Sequence, residues 1–126
     1  MGMRLFAAAA SATLVGCSGG AASDTLDAAG FAALVEKDGT VVLDVRTPDE
    51  YAGGHLAGAL NLDVNAADFA ARVAQLDKTA TYAVYCRSGS RSATALGIMK
   101  KAGITEAYHL GGGIGAWTSA GRPVVR

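Results

Sequence analysis

The sequence predicts an α/β fold built on an open, mainly parallel sheet with helices on both faces. Strand-like and helix-like segments alternate along the chain, and a strand such as Val41-Val42-Leu43 is apolar throughout. A strand with apolar side chains on both sides is buried on both sides, which is typical of parallel sheets covered by helices. The 126 residues leave room for one modest domain.

The first half of this domain begins with two predicted helix starts. Asp27 is a good cap for an amphipathic segment, and Thr47 followed by Pro48 is a typical cap with proline at the first helical position. A turn at Asp38-Gly39 separates the first helix from an apolar run. The predicted elements are a helix over 28–36, a strand over 40–44, a helical turn over 47–51 and a short strand over 59–62.

The second half repeats the alternation. Phe69, Val73 and Leu76 recur at helical spacing, residues 82–85 form an apolar run, and Gly103 is a typical helix terminator. The predicted elements are a helix over 66–76, a strand over 81–85, a helix over 92–102, a strand over 107–110 and a helical turn around Trp117.

The first residues are predicted to be a targeting segment. Arg4 supplies a positive start, and the apolar stretch over 5–15 is too short to span a bilayer. Leu14-Val15-Gly16-Cys17 resembles the bacterial lipobox, at which the cysteine is lipidated; an ordinary secretory signal is the alternative. We expect a signal peptide over 1–16, a lipidated tether over 17–23, a domain over 24–126 and export to the bacterial cell envelope, with a membrane anchor at Cys17.

Cys86 is the residue most expected to carry chemistry. It follows an apolar run and precedes a polar turn with two arginines, after which a helix begins. Such a turn surrounds the thiol with backbone N–H groups and the positive end of a helix, which favours a thiolate beside a bound anion. With Cys17 assigned to lipid, Cys86 is a free thiol in an oxidising compartment, a hazard tolerated for a function.

Other classes of partner receive no support. The 11 basic and 11 acidic residues balance, so nothing points to nucleic acid. The two histidines, with no cluster of further ligands, make no convincing metal site.

Three ordered motifs resemble the signatures of the single-domain rhodaneses, or thiosulfate sulfurtransferases. The resemblance is carried by residues 44–61 (Asp44-Val45-Arg46-Thr47-Pro48-Asp49-Glu50-Tyr51, then Gly54-His55-Leu56-Ala57-Gly58-Ala59-Leu60-Asn61), by Tyr85-Cys86-Arg87-Ser88-Gly89-Ser90-Arg91-Ser92, and by Gly111-Gly112-Gly113-Ile114-Gly115-Ala116-Trp117 with Gly121 and Pro123. It covers nearly the whole chain after the tether. It implies a rhodanese-like α/β domain.

The resemblance also implies a mechanism. The Cys86 thiolate attacks the outer sulfur of thiosulfate or a similar donor, sulfite leaves, and an enzyme persulfide remains. Cyanide, a thiol or an acceptor protein then removes that sulfur. No metal or organic cofactor is implied. Residues 87 to 91 would hold substrate and persulfide: Arg87, Ser88, Gly89, Ser90 and Arg91. For Arg87, recruitment of the anionic donor and a merely solvated surface charge are alternatives.

Several further residues receive supporting roles. Asp44, Arg46 and Glu50 could form ion pairs that brace the loop, which is a structural rather than a catalytic role. His55 is expected to be a packed, hydrogen-bonded histidine, and Trp117 a packing residue. His109 is assigned no role.

Alternative functions remain open on the same residues. Four residues separate Cys86 from Arg91; the related cell-cycle phosphatases and arsenate reductases have one more, which gives room for a tetrahedral oxyanion. The shorter loop favours sulfur transfer over phosphate chemistry. A sulfur-carrying or non-catalytic partner module is a second alternative, and an exported thiol-redox protein, which would lack a nearby resolving cysteine, is a third.

Overall fold

The structure, a computed structural model, describes residues 23–126. The predicted signal peptide over 1–16, the lipidation site Cys17 and the tether up to residue 22 lie outside the described residues.

Strands and helices alternate along the described chain, and their order follows the predicted pattern. The strands are β1 (Thr25–Leu26), β2 (Thr40–Asp44), β3 (Leu60–Asn61), β4 (Thr81–Tyr85) and β5 (Ala107–Leu110); the helices are α1 (Ala28–Val35), α2 (Pro48–Ala52), α3 (Phe69–Val73), α4 (Ser90–Lys101) and α5 (Gly113–Ser119).

The five strands form one parallel sheet in the order β1-β5-β4-β2-β3. The register pairs Asp44 with Tyr85, so β2 and β4 end side by side. Val45 continues the ladder by donating its N–H to the Tyr85 carbonyl at 3.0 Å. The carboxyl ends of β2 and β4 therefore lie side by side, and ligands of open parallel sheets bind beyond the carboxyl ends of the strands.

Each face of the sheet is covered by an apolar cluster. On one face α3 and α4 pack through Phe69, Val73 and Met99; on the other, α1 and α5 pack through Phe31 and Trp117. Alternate residues of one strand enter opposite clusters, because side chains in a strand point alternately to the two faces. The buried strands are thus apolar on both sides, as the sequence predicts.

The predicted α/β class with helices on both faces is confirmed, and all pairings within the sheet are parallel. The bounds predicted for β2, β4 and β5 are those observed. Asp27 caps α1 by accepting from the Gly30 N–H at 2.8 Å, and Thr47 and Glu50 form a reciprocal capping box on α2.

The other predicted bounds differ by one or two residues, apart from one strand that was not predicted and one helix that is much shorter. The edge strand β1 was not predicted, and α4 begins at Ser90 instead of Ser92. The α-helix predicted over 66–76 covers only Phe69–Val73, because the flanking residues form tighter turns: Phe69 donates to Ala66 and Leu76 donates to Val73, each three residues back. Among residues 23–126 no helix combines the length and hydrophobicity needed to cross a membrane.

Candidate active site

Cys86 lies directly after β4, at the point where the chain turns into α4. The residue is a free cysteine and only 1% exposed. Its Sγ accepts hydrogen bonds from the N–H of Gly89 at 3.1 Å and of Ser92 at 3.3 Å. The sulfur therefore lies at the end of an apolar cluster but, unlike an inert buried cysteine, accepts hydrogen bonds from two N–H groups.

The sulfur occupies the position of a helix cap. Gly89 is the N-cap residue of α4, and Ser92 is the third residue of that helix. As a glycine, Gly89 has no side chain that could accept a hydrogen bond from the first N–H groups of the helix. The first N–H groups of a helix have no acceptor within the helix, so an acceptor placed there is stabilised. Cys86 Sγ supplies that acceptor, and the partial positive charge at the N-terminus of the helix is directed toward the sulfur.

These contacts favour the thiolate. Burial by itself raises the pKa of Cys86, but the Ser92 hydroxyl and the N–H groups of Ser92, Gly89 and Ser88 stabilise the anion more, so the pKa of the thiol is lowered from its ordinary 9.0. Ser92 Oγ lies 3.5 Å from Sγ. The arrangement therefore shifts the ionisation equilibrium of Cys86 toward the thiolate.

The loop curls tightly against the glycine run that opens α5. Gly89 has φ of +106°, and a Cβ there would collide with the Gly111 carbonyl. Gly113, at φ +65°, has no room for a Cβ beside the Arg87 carbonyl. Ile114 donates its N–H to the Cys86 carbonyl at 2.9 Å. The third sequence motif therefore forms the floor on which the Cys86 loop rests.

An ion pair joins the helical end of the loop to α2. Arg91 Nη1 and Nη2 donate to the two carboxylate oxygens of Glu50 at 2.8 and 2.9 Å. Together with the bonds from Thr47, this pair lowers the pKa of Glu50 to about 2, because the Arg91 guanidinium favours the carboxylate. Burial opposes this effect without cancelling it.

A second, buried ion pair lies behind the first motif. Arg46 donates to Asp44 from Nε at 2.9 Å and from Nη2 at 2.6 Å, and Nη2 also donates to the Gly54 carbonyl at 2.7 Å. The Tyr85 hydroxyl donates to Asp44 and accepts from the N–H of Leu56. Asp44 and Arg46 therefore hold the turn at 54–56 against Tyr85, the residue before the cysteine.

One expectation about these charges needs correction. Glu50 was expected as a further partner of Asp44 and Arg46, whereas its partner is Arg91. The pair that reaches the loop is thus Glu50–Arg91, because α2 projects Glu50 toward α4 while Asp44 and Arg46 satisfy each other. The Asp44–Arg46 pair reaches the loop indirectly, through Tyr85.

The outer side of the loop is polar and accessible. Arg87, Ser88 and Ser90 are exposed. Arg87 borders a cleft of about 430 Å³ that is also lined by Arg46, Glu50 and Ile114. Arg87 therefore places a positive charge where the cleft meets the cysteine loop, while Asp49 and Glu50 contribute carboxylates elsewhere on the cleft wall.

Sequence reasoning assigned no role to His109, yet this residue lies against the site. His109 is buried at 7% exposure, with Nδ1 2.8 Å from Ser92 Oγ and Nε2 3.1 Å from Thr25 Oγ1. The pairing of β1 with β5 places Thr25 opposite His109. No local motif marks this arrangement, since it depends on a two-residue edge strand. His55, by contrast, stacks on Tyr51 and bonds to its carbonyl, as the packed interpretation expects.

Fold and site together define an α/β domain that presents one cysteine sulfur at the N-terminus of a helix, within a short anion-binding loop. Residues 27–120 match the family described as the Rhodanese-like domain. The chain belongs to this family, and its fold is rhodanese-like, as the resemblance of its three motifs implies.

Relatives and solved structures agree with this assignment. The chain is 39% identical over 87 residues to the thiosulfate sulfurtransferase GlpE of Pseudomonas fluorescens, covering 68% of this chain and 77% of that protein. It is 39% identical over 82 residues to the probable adenylyltransferase/sulfurtransferase MoeZ of Mycobacterium tuberculosis, covering 65% of this chain but spanning only 21% of MoeZ. The crystal structure of a rhodanese-related protein from Thermoplasma volcanium superposes with a TM-score of 0.71 at 31% identity, covering 80% of this chain and 96% of that one. These similarities support a sulfurtransferase-type function.

Proposed function

We propose that the protein is a rhodanese-type sulfurtransferase that moves a sulfane sulfur from thiosulfate, or a similar donor, through a persulfide on Cys86 to a thiophilic acceptor such as cyanide or a thiol. The observation that carries the proposal is the set of N–H and O–H donors around Cys86 Sγ, which lowers the pKa of a buried thiol. Burial without those donors would have the opposite effect.

The reaction has two displacement steps at sulfur. The Cys86 thiolate attacks the outer sulfur of thiosulfate; the new S–S bond forms as the sulfur–sulfur bond of thiosulfate breaks, and sulfite leaves with the electron pair. Cyanide, or an ionised thiol, then attacks the terminal sulfur of the persulfide, and the Cys86 thiolate leaves. No net redox change of the protein remains, and the thiolate is restored for the next cycle.

The loop can stabilise both anionic states. Besides the donors to Sγ, the N–H groups of Ser90 and Arg91 lie in the first turn of α4, where a helix provides no acceptor of its own. We assign these groups, with Ser88 and Gly89, to the terminal sulfur of the persulfide. Arg87 is exposed at the cleft and is assigned to recruitment of the anionic donor.

The commitment of Arg91 favours sulfur transfer over phosphate chemistry. Both terminal nitrogens of its guanidinium donate to Glu50, so they do not present the bidentate fork that a bound phosphate would require. The loop also has one residue fewer between cysteine and arginine than the phosphatase pattern described above.

The test is sulfite and thiocyanate formation from thiosulfate and cyanide by the purified protein. Wild type should form both products in equal amounts, and Cys86→Ser should form neither while keeping its melting temperature near that of wild type. Full activity in Cys86→Ser removes the thiol from the mechanism. Phosphatase turnover without sulfite release would favour the phosphatase alternative.

A sulfur-carrying partner module is the second candidate. The similarity to one part of the much longer MoeZ favours it. In that case thiosulfate alone would leave Cys86 unchanged, whereas a persulfide-bearing donor protein would add one sulfur atom.

The location of the protein is part of the proposal. Cys17 follows a lipobox-like segment and is separated from β1 by a short stretch rich in small residues. We assign lipidation to Cys17, which would hold the sulfurtransferase domain at a membrane of the bacterial cell envelope.

A further inference from the structure

Three side chains connect the Cys86 sulfur to the edge of the sheet. Ser92 Oγ lies 3.5 Å from Cys86 Sγ and 2.8 Å from His109 Nδ1, and His109 Nε2 lies 3.1 Å from Thr25 Oγ1. Ser92 is fully buried and His109 nearly so, whereas Thr25 is exposed. The contacts join α4, β5 and β1, and the pairing of β1 with β5 places Thr25 beside His109.

The Ser92 hydroxyl has one proton and three neighbours that could receive it. These are Cys86 Sγ, His109 Nδ1 and the Gly89 carbonyl at 3.2 Å. The Gly89 carbonyl already accepts the N–H of Ala93 at 3.2 Å. That carbonyl is neutral and shared, whereas a thiolate carries a full charge and binds a hydroxyl proton more strongly. Once Cys86 is ionised, the main competition for the proton is therefore between the sulfur and the imidazole nitrogen, and the tautomer of His109 decides whether that nitrogen can accept it.

Each tautomer gives one consistent chain of hydrogen bonds. If Nε2 carries the proton, Nδ1 accepts the Ser92 proton, and the sulfur faces only lone pairs of Ser92 Oγ. If Nδ1 carries the proton, it donates to Ser92 Oγ and leaves the hydroxyl proton for the sulfur, while Thr25 can donate to Nε2. Only in the second arrangement does the Ser92 hydroxyl add to the backbone N–H groups that already stabilise the thiolate.

We propose that His109 carries its proton on Nδ1, directs the Ser92 hydroxyl toward the Cys86 thiolate, and is thereby a positioning residue for sulfur transfer. This inference rests on the proposed function of Cys86. Burial lowers the pKa of His109 from 6.5 against the opposing charge of Asp24, which favours the neutral imidazole with one donor and one acceptor nitrogen. Two ion pairs lie near this series of hydrogen bonds: Asp24 pairs with Lys100 at 3.0 Å, and Arg91 pairs with Glu50.

The test compares variants by the pH midpoint of alkylation at Cys86, followed by intact mass. Ser92→Ala should raise the midpoint by about one unit, the scale of one hydrogen bond to an anion. His109→Leu should raise it by about half a unit, a roughly threefold loss of thiolate at a fixed pH. His109→Asn, whose amide can donate from the position of Nδ1, should restore most of the loss.

A double-mutant cycle separates positioning from general damage. Because His109 acts through the Ser92 hydroxyl, His109→Leu should cause no further shift in the Ser92→Ala background. A full additional shift there, or a wild-type midpoint in His109→Leu, overturns the inference. Melting temperatures identify variants that fail to fold. For such variants the inference is tested instead by the tautomer of His109 in the wild-type protein.

The tautomer can be observed directly by ¹⁵N NMR of the imidazole in wild-type protein, at a pH where Cys86 is ionised. We expect Nδ1 to be the protonated nitrogen; a proton on Nε2 overturns the inference. These readouts do not use sulfur transfer. If wild type took up no sulfur from any donor, the proposed function would fail while the tautomer and the coupling of His109 to Ser92 could still be measured.

Discussion

The carboxylate of Glu50 accepts hydrogen bonds from both terminal nitrogens of the Arg91 guanidinium, at 2.8 and 2.9 Å, although the two residues are 41 positions apart in the sequence. Glu50 is also the third residue of the capping box on α2, and Arg91 is the second residue of α4. One carboxylate therefore joins α2 to the start of α4, the helix whose first N–H groups donate to Cys86. The bond therefore adds a side-chain contact between α2 and α4 to the backbone pairing of β2 with β4.

Replacement of Glu50 by Gln should give a stability loss that depends on pH. The pKa of Glu50 is lowered from 4.5 to about 2, so the carboxylate stabilises the fold fully above pH 4.5 and loses that effect as the pH falls toward 2. We expect Glu50→Gln to cost about 1 to 2 kcal/mol at pH 7, since partial exposure weakens the pair. Urea unfolding at several pH values measures it, with Glu36→Gln, an exposed carboxylate, as the control. A loss of equal size at pH 7 and pH 3 would contradict the ion-pair explanation.

Replacement by alanine should lower the free energy of unfolding at Gly89 and raise it at Gly97. Gly89→Ala places a Cβ against the Gly111 carbonyl at φ +106°, and we expect a loss of about 2 kcal/mol or more together with loss of sulfur transfer. Gly97→Ala lies on the exposed side of α4 with nothing within 4 Å, and we expect a gain of about 0.5 to 1 kcal/mol. Unfolding curves and sulfite release test both; an active, stable Gly89→Ala would show that the loop can relax.

The sequence predicted the elements whose information is local. Continuous apolar runs gave the bounds of β2, β4 and β5, and the caps Asp27 and Thr47 gave two helix starts. Strand β1 was not predicted, because two residues carry no periodicity and their pairing with β5 spans more than 80 positions.

The site was predictable where one motif contained it. Cys86, Gly89 and the first residues of α4 lie within seven positions, so the turn and the helix dipole could be inferred from spacing. The pairing of Glu50 with Arg91, and the contact of His109 with Ser92, depend on the relative placement of separate elements. No spacing rule predicts these contacts.

Removal of the Arg87 charge should weaken use of thiosulfate more than folding. Because this exposed side chain borders the cleft, Arg87→Ala should raise KM for thiosulfate about threefold to fivefold, with Arg87→Lys close to wild type. Arg72→Ala changes the net charge equally on the exposed side of α3 and should leave KM unchanged. The difference should shrink at high ionic strength. Equal kinetics of wild type and Arg87→Ala would show that Arg87 is only a solvated charge.

Loss of the proposed lipidation site should release the protein from membranes. Cys17→Ser removes the thiol that would carry lipid, so the full chain should move from the membrane to the soluble fraction after cell fractionation. Cys86→Ser, which leaves Cys17 intact, should stay with the membrane. Membrane association of both variants would contradict the lipid anchor.

The most direct test of the account is the intact mass of the protein after exposure to thiosulfate, with peptide mapping, before and after cyanide. The account predicts a gain of one sulfur atom, located on Cys86, that cyanide removes completely while sulfite and thiocyanate appear in equal amounts. An unchanged mass with thiosulfate and with every other sulfane donor, or a sulfur atom that maps to another residue, would contradict it.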